Sequence, residues 1–112
     1  MKSLIRPYQY KIPVKSDCGV EKALLVISGK WKPAILSVLL KTSQRLKDMQ
    51  EGLPEAPKRA LTQQLKEMIN DGLIQKQDFN EYPKRTEYSI TPLGMQLSGV
   101  FEALKTFGDK IQ

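Results

Sequence analysis

The chain has no histidine and a single cysteine, Cys18, and these two shortages remove most of the chemistry a small protein can carry. Without imidazole there is no His-based triad, no His-ligated zinc and no general base that titrates near neutrality. A lone thiol forms no internal disulfide and supplies no pair of sulfurs at metal spacing. A Gly-rich phosphate loop is missing as well. The carboxylates are scattered among lysines, as on solvated helix faces. No metal, no cofactor and no enzyme activity is expected. Long apolar runs are also absent. The longest mostly apolar stretch, Ala34 to Leu40, falls far short of the roughly 20 residues that span a bilayer. The start, Met1 to Pro7, lacks the apolar core of a secretory signal. The expected setting is therefore a reducing cytoplasm, with no membrane partner.

What is present is positive charge. Eighteen Lys and Arg oppose 12 Asp and Glu, giving a net charge of +6 and a pI near 9.5. That balance favours polyanions, of which nucleic acid is one. Hydrophobic residues make up 40% and charged residues 27%, ordinary values for a globular fold. At 112 residues the chain fits one domain. A domain of this size buries only about two thirds of its unfolded surface, so pairing with a second copy would add stability.

Along the chain, residues 1–17 read as a basic N-terminal arm broken by Pro7 and Pro13. Tyr8, Tyr10, Ile12 and Val14 alternate within it, a strand-like pattern. Residues 18–112 read as the folded domain. Val20, Leu24 and Ile27 mark a first helix that stops at Ser28-Gly29. A second runs from about Lys32 to Lys41, with Pro33 in its first turn. Its apolar residues nearly encircle it, as in a central buried helix. Thr42 to Gln44 breaks the pattern, and Arg45 to Gly52 forms a short helix with Leu46 and Met49 inward. Pro57 opens the next helix, which continues to Asp71 and is capped by Gly72. Leu73 to Asn80 and Arg85 to Ile90 read as strands joined by a tip at Glu81 to Lys84. Thr91-Pro92 starts the last helix, an N-cap followed by proline in the first turn. The fold class is mainly α with a small β-hairpin, and its order is that of a winged helix-turn-helix.

The helix from Pro57 to Asp71 divides cleanly. Leu61, Leu65, Met68 and Ile69 share one stripe and should face the core. Arg59, Thr62, Gln63, Lys66 and Asn70 share the opposite side, with Lys58 in the first turn. Arg and Lys suit phosphates or guanine, Gln and Asn suit adenine, and Thr suits a thymine methyl. That face carries no carboxylate. At the wing tip Lys84 and Arg85 flank Pro83, placed to reach a groove or its phosphates. The expected partner is double-stranded DNA. In the last helix Leu93, Leu97, Val100, Leu104, Phe107 and Ile111 recur at helical spacing, more than one face of a small domain needs. Leu97, Val100, Phe101, Leu104, Phe107 and Ile111 are thus the candidate homodimer interface. Trp31, beside the central helix, reads as core.

Four segments also resemble a known family. These are Cys18 to Glu21 (CGVE), Gly29 to Lys32 (GKWK), Leu61 to Leu65 running into Asp71 to Ile74, and Glu87 to Gly94. Together they are similar to the HxlR-type regulators over roughly residues 18–108. The resemblance implies a homodimeric winged-helix DNA-binding regulator of transcription acting near its own operator. It also implies a thiol sensor of electrophiles or oxidants at Cys18. The residues themselves leave Cys18 open. It stands at a helix start with Lys15 and Lys22 nearby, while Glu21 opposes a thiolate and a free cysteine also serves as a small buried hydrophobe. Pro57 departs from the family, which has a polar capping residue such as serine there. The arm before Cys18 is longer than the family's. The combined expectation is a sequence-specific regulator that binds a palindromic operator as a homodimer, with no small-molecule effector assigned. The alternative is a winged-helix protein–protein adaptor that does not touch DNA.

Overall fold

The computed structural model describes residues 18–112, and the expectations for the arm at residues 1–17 lie outside them. Helix α1 spans Gly19–Ile27 and begins where the Cys18 sulfur accepts the Glu21 N–H at 3.5 Å. After the turn at Ser28 to Lys30, α2 runs over Lys32–Leu39, with Pro33 in its first turn. Ile35, Leu36 and Leu39 are fully packed, which makes α2 the centre of the core. Burial is not all-round, however. Val38 is exposed, and α2 stops at Leu39 rather than Lys41 because its last turn tightens, Lys41 bonding to the Val38 carbonyl.

Helix α3 covers Leu46–Gly52 and α4 covers Lys58–Asn70. Asp48 accepts the Arg45 N–H at 3.0 Å and starts α3, while Met49 and Leu46 point inward as expected. Helix α4 ends in a tight reversal at Gly72, whose φ of 80° is open to glycine and strained for other residues. Leu73 then bonds back to the Met68 carbonyl and Gly72 to that of Ile69, satisfying carbonyls at the helix end.

Strands β1 (Ile74–Phe79) and β2 (Arg85–Ile90) pair antiparallel, with Ile74 opposite Ile90 and Phe79 opposite Arg85. The Thr42 to Gln44 segment does more than break a helix. Gln44 exchanges both backbone hydrogen bonds with Tyr88 and adds a one-residue third strand along β2. This ties the hairpin to the end of α2, and Tyr88 is buried there.

The last helix is two pieces, α5 (Pro92–Met95) and α6 (Leu97–Gly108), divided at Gln96. The interruption of the expected single helix is one residue long: Gln96 keeps helical dihedrals (φ −64°, ψ −15°), but its N–H bonds to the Leu93 carbonyl in a tighter turn. A side chain at Gly94 would collide with the Leu73 carbonyl oxygen. The Thr91 hydroxyl fixes the same corner, accepting the Gly94 N–H at 3.0 Å and reaching the Gly72 carbonyl at 2.6 Å. One core results, built from α2, α3, α4, the hairpin and Ile27 of α1, with Leu97 and Phe101 of α6 leaning on it.

Candidate nucleic-acid interface

The polarity of α4 follows directly from its sequence. Leu61, Leu65 and Met68 are completely buried, at the spacing of one helix face. Lys58, Arg59, Gln63, Lys66 and Asn70 are exposed, and Thr62 is half-buried. The Thr62 hydroxyl donates to the Lys58 carbonyl at 2.8 Å, within its own helix. The structure thus brings the helix candidates onto one open face, preceded by the short helix α3 and the turn at Leu53 to Pro57.

One carboxylate borders this face. Glu67 receives Lys32 at 2.6 Å on one oxygen and the Gln63 amide at 3.4 Å on the other. Beside it, Gln64 accepts the Trp31 N–H at 3.0 Å. Lys32 and Gln64 lie within the segments that carry the family resemblance, but nothing in the sequence announces their pairing with α4 and α2, and Glu67 does not stand out at all. Their signal is faint: a Gln and a Glu three residues apart on the flank of an otherwise simple stripe. Trp31 itself packs half-buried against the core, with the Lys30 ammonium 5.2 Å from its ring centre.

The two wing cations part company. Lys84 is exposed, next to Tyr82, which projects almost entirely into solvent. Arg85 lies over the Phe79 ring at 4.1 Å and has carboxylates of Glu81 and Glu87 at 3.5 and 3.6 Å. Both ion pairs are long, and the buried Nε makes no hydrogen bond among the described residues. Below the tip, the Thr86 hydroxyl bonds to the carboxylate of its cross-strand partner Asp78. That bond, with some help from Lys76 and Lys84, holds the Asp78 carboxyl below its usual range.

The candidates for the homodimer interface lie on α6. Val100, Leu104, Phe107 and Ile111 are exposed on α6, whereas Leu97 and Phe101 are half-buried. Val20 and Leu24 of α1 are exposed too, Val20 at 70%. A groove of about 440 Å³ runs between them, with Leu24 and Ile27 on one side, Phe101 and Leu104 on the other, and the polar Ser28, Ser37 and Lys105 among its lining. Cys18 is half-buried at the head of α1. Among the described residues no cluster of candidate metal ligands occurs, and no helix is long and apolar enough to cross a membrane.

Residues 26–112 match the model of the HxlR-like helix-turn-helix family. The chain belongs to that family. As an HxlR-like protein it is a transcriptional regulator with a helix-turn-helix fold. It is 36% identical over 93 residues to the HTH-type transcriptional regulator YdeP of Bacillus subtilis (strain 168), spanning 83% of this chain and 73% of YdeP. The crystal structure of the HTH-type regulator YtcD superposes on the HxlR-like fold with a TM-score of 0.78 at 35% identity, covering 82% of this chain and 94% of YtcD. The reduced form of the redox regulator HypR gives 0.79 at 30% identity, covering 82% and 91%. The winged-helix arrangement expected from the order of elements is the one these relatives share.

Proposed function

We propose that this HxlR-like regulator binds duplex DNA as a homodimer, with α4 in the major groove and the wing against the phosphates. The observation that carries the reading is the open face of α4. Its cations and amides are exposed, and the single bordering carboxylate is paired with Lys32. Such a face offers charge for the backbone and hydrogen-bonding planes for base edges. Residues early in the helix, Arg59, Thr62 and Gln63, reach bases, and Lys58, Lys66, Asn70, Lys84 and Arg85 surround them. Dimerisation through α6 and α1 places two such helices on one palindromic operator, with half-sites about 34–36 Å apart. The support is the exposed apolar surface, since contiguous patches of this kind mark association sites. Selection of duplexes from a random library, followed by gel shift, tests the reading. A consensus with two-fold symmetry is expected; failure to enrich any duplex favours the adaptor alternative.

Cys18 adds thiol response to the proposal. The supporting observations are its position at the positive end of α1, adjoining the apolar surface, and the similarity to HypR. One cysteine per chain permits an intersubunit bridge, a small-thiol adduct or direct alkylation. Affinity for the selected duplex is expected to fall after N-ethylmaleimide treatment of the native protein and to stay constant in Cys18→Ser. Equal affinity in all four states reduces Cys18 to a packing residue.

A further inference from the structure

Lys32 is 1% exposed, a costly place for an ammonium, and it spends its charge on Glu67 of α4 at 2.6 Å. Ion pairs this deeply buried contribute little net stability, because desolvation offsets the attraction; their best-attested use is to fix a register. A second bond acts on the same juncture. The Trp31 N–H, at the start of α2, is held by the Gln64 side chain of α4, across 33 residues of chain. A third observation shows that the fit is tight. A side chain at Gly29 would press on the Lys32 methylenes at 3.0 Å and on Gln64 Oε1 at 3.2 Å.

We infer that Gln64 and Glu67 are positioning residues that clamp α4 to Trp31 and Lys32 at the start of α2 and so set its angle relative to α1 and the proposed dimer face. The inference rests on α4 being the reading helix. The clamp's partners, Trp31 and Lys32, open α2 and are joined to α1 by the turn at Ser28 to Lys30, so the helix with the DNA-reading face is tied to the segment that follows the helix on the apolar surface. Glu67 has a further consequence. Its second oxygen meets Gln63, so the clamp also orients a side chain on the reading face itself. Loss of the clamp leaves the cations of α4 in place but frees the helix tilt and the Gln63 amide. Phosphate attraction depends on charge and survives such a change, whereas base reading and half-site spacing depend on geometry.

The test compares duplexes selected by the wild-type protein with shuffled duplexes of the same length. In Lys32→Met/Glu67→Leu both charges leave together, so neither is stranded and the melting temperature is expected to stay near wild type. Affinity for the selected duplex is expected to fall by about tenfold or more while shuffled-duplex affinity changes by less than about twofold. Gln64→Glu keeps an acceptor for Trp31 and is expected to retain the selected-to-shuffled ratio, even with both affinities lowered by its charge. Gln64→Leu loses the acceptor and is expected to lower the ratio. This pair decides the matter should the double variant not fold. A folded double variant with a wild-type ratio overturns the clamp while leaving DNA binding intact, as do equal ratios in the two Gln64 variants. A wild-type protein that prefers no duplex overturns the DNA reading and the clamp with it.

Discussion

Helices α4 and α6 are nearly the same length, 13 and 12 residues, and both carry a regular apolar stripe. Their fates differ. On α4 the stripe disappears into the chain's own core, with Leu61, Leu65 and Met68 completely buried. On α6 no residue is buried, and Phe107 remains 63% exposed. The same periodicity therefore specifies two different things. One stripe closes a core within the chain, and the other is surplus to it. That surplus is the proposed dimer surface, and Val20 and Leu24 of α1 are exposed as well.

The largest effect that separates the two stripes is stability against association. Leu65→Ala opens a cavity in the core and is expected to cost about 2–5 kcal/mol, read as a lower melting temperature at every protein concentration. Leu104→Glu is expected to spare the folded protomer and abolish the dimer, because it places an unpaired charge in an apolar contact. Burying Leu104 or Phe107 contributes about 1.5–3 kcal/mol each before entropy, enough to shift dimer dissociation by tenfold or more per residue. Sedimentation of Leu104→Glu showing an intact dimer would place the interface elsewhere.

The outward faces of these helices sharpen the contrast. Arg59→Ala and Lys66→Ala are expected to leave sedimentation and melting unchanged and to weaken DNA binding. Each phosphate contact removed lowers the slope of log affinity against log salt by about 0.9. Wild-type affinity and slope in both variants would remove α4 as the reader.

Much of this was legible because the signals are local. Gly72 after α4, Thr91-Pro92 before α5 and the division of α4 into two faces depend on residues within a turn or two of each other. The bonds that were not legible connect distant positions. Gln44 joins Tyr88 across 44 residues, and Lys32 reaches Glu67 across 35; no periodicity announces either. The close approach of Gly94 to the Leu73 carbonyl likewise depends on positions 21 residues apart meeting in space. Arg85 illustrates the same point at the candidate site. In sequence it is one of two adjacent cations, yet strand register puts it over Phe79 and between two carboxylates.

That difference makes the wing testable one cation at a time. Lys84→Ala is expected to weaken binding of any duplex by about two- to fivefold, since exposed phosphate contacts position without specifying. Arg85→Ala removes a cation that Glu81 and Glu87 already oppose. Its expected effect is a less ordered hairpin, seen as faster amide exchange at Phe79 and Glu87, with a smaller change in affinity. A loss confined to one base position in either variant would show that the wing reads sequence.

The smallest expected effect lies one pair further down the hairpin. Asp78 and Thr86 face each other across the strands in solvent, and the Thr86 hydroxyl bonds the Asp78 carboxylate. A bond to the charged form favours it, so the folded carboxyl titrates below its ordinary value of 3.8, with Lys76 and Lys84 acting in the same sense. The sign of the pH dependence follows. A carboxyl with a lowered folded pKa stabilises the hairpin fully above the unfolded value, and that contribution disappears as pH falls through the folded one. It is therefore constant through neutrality and is lost only below about pH 4. In Thr86→Val the first cause is removed, so the Asp78 carboxyl is expected to titrate closer to 3.8 in an NMR titration. The lysines should retain a residue of the shift, and that residue should shrink with added salt, as Coulomb attraction at a solvent-exposed site must. An unchanged titration in Thr86→Val would mean that the neighbouring charges, and not the cross-strand bond, hold the carboxyl down.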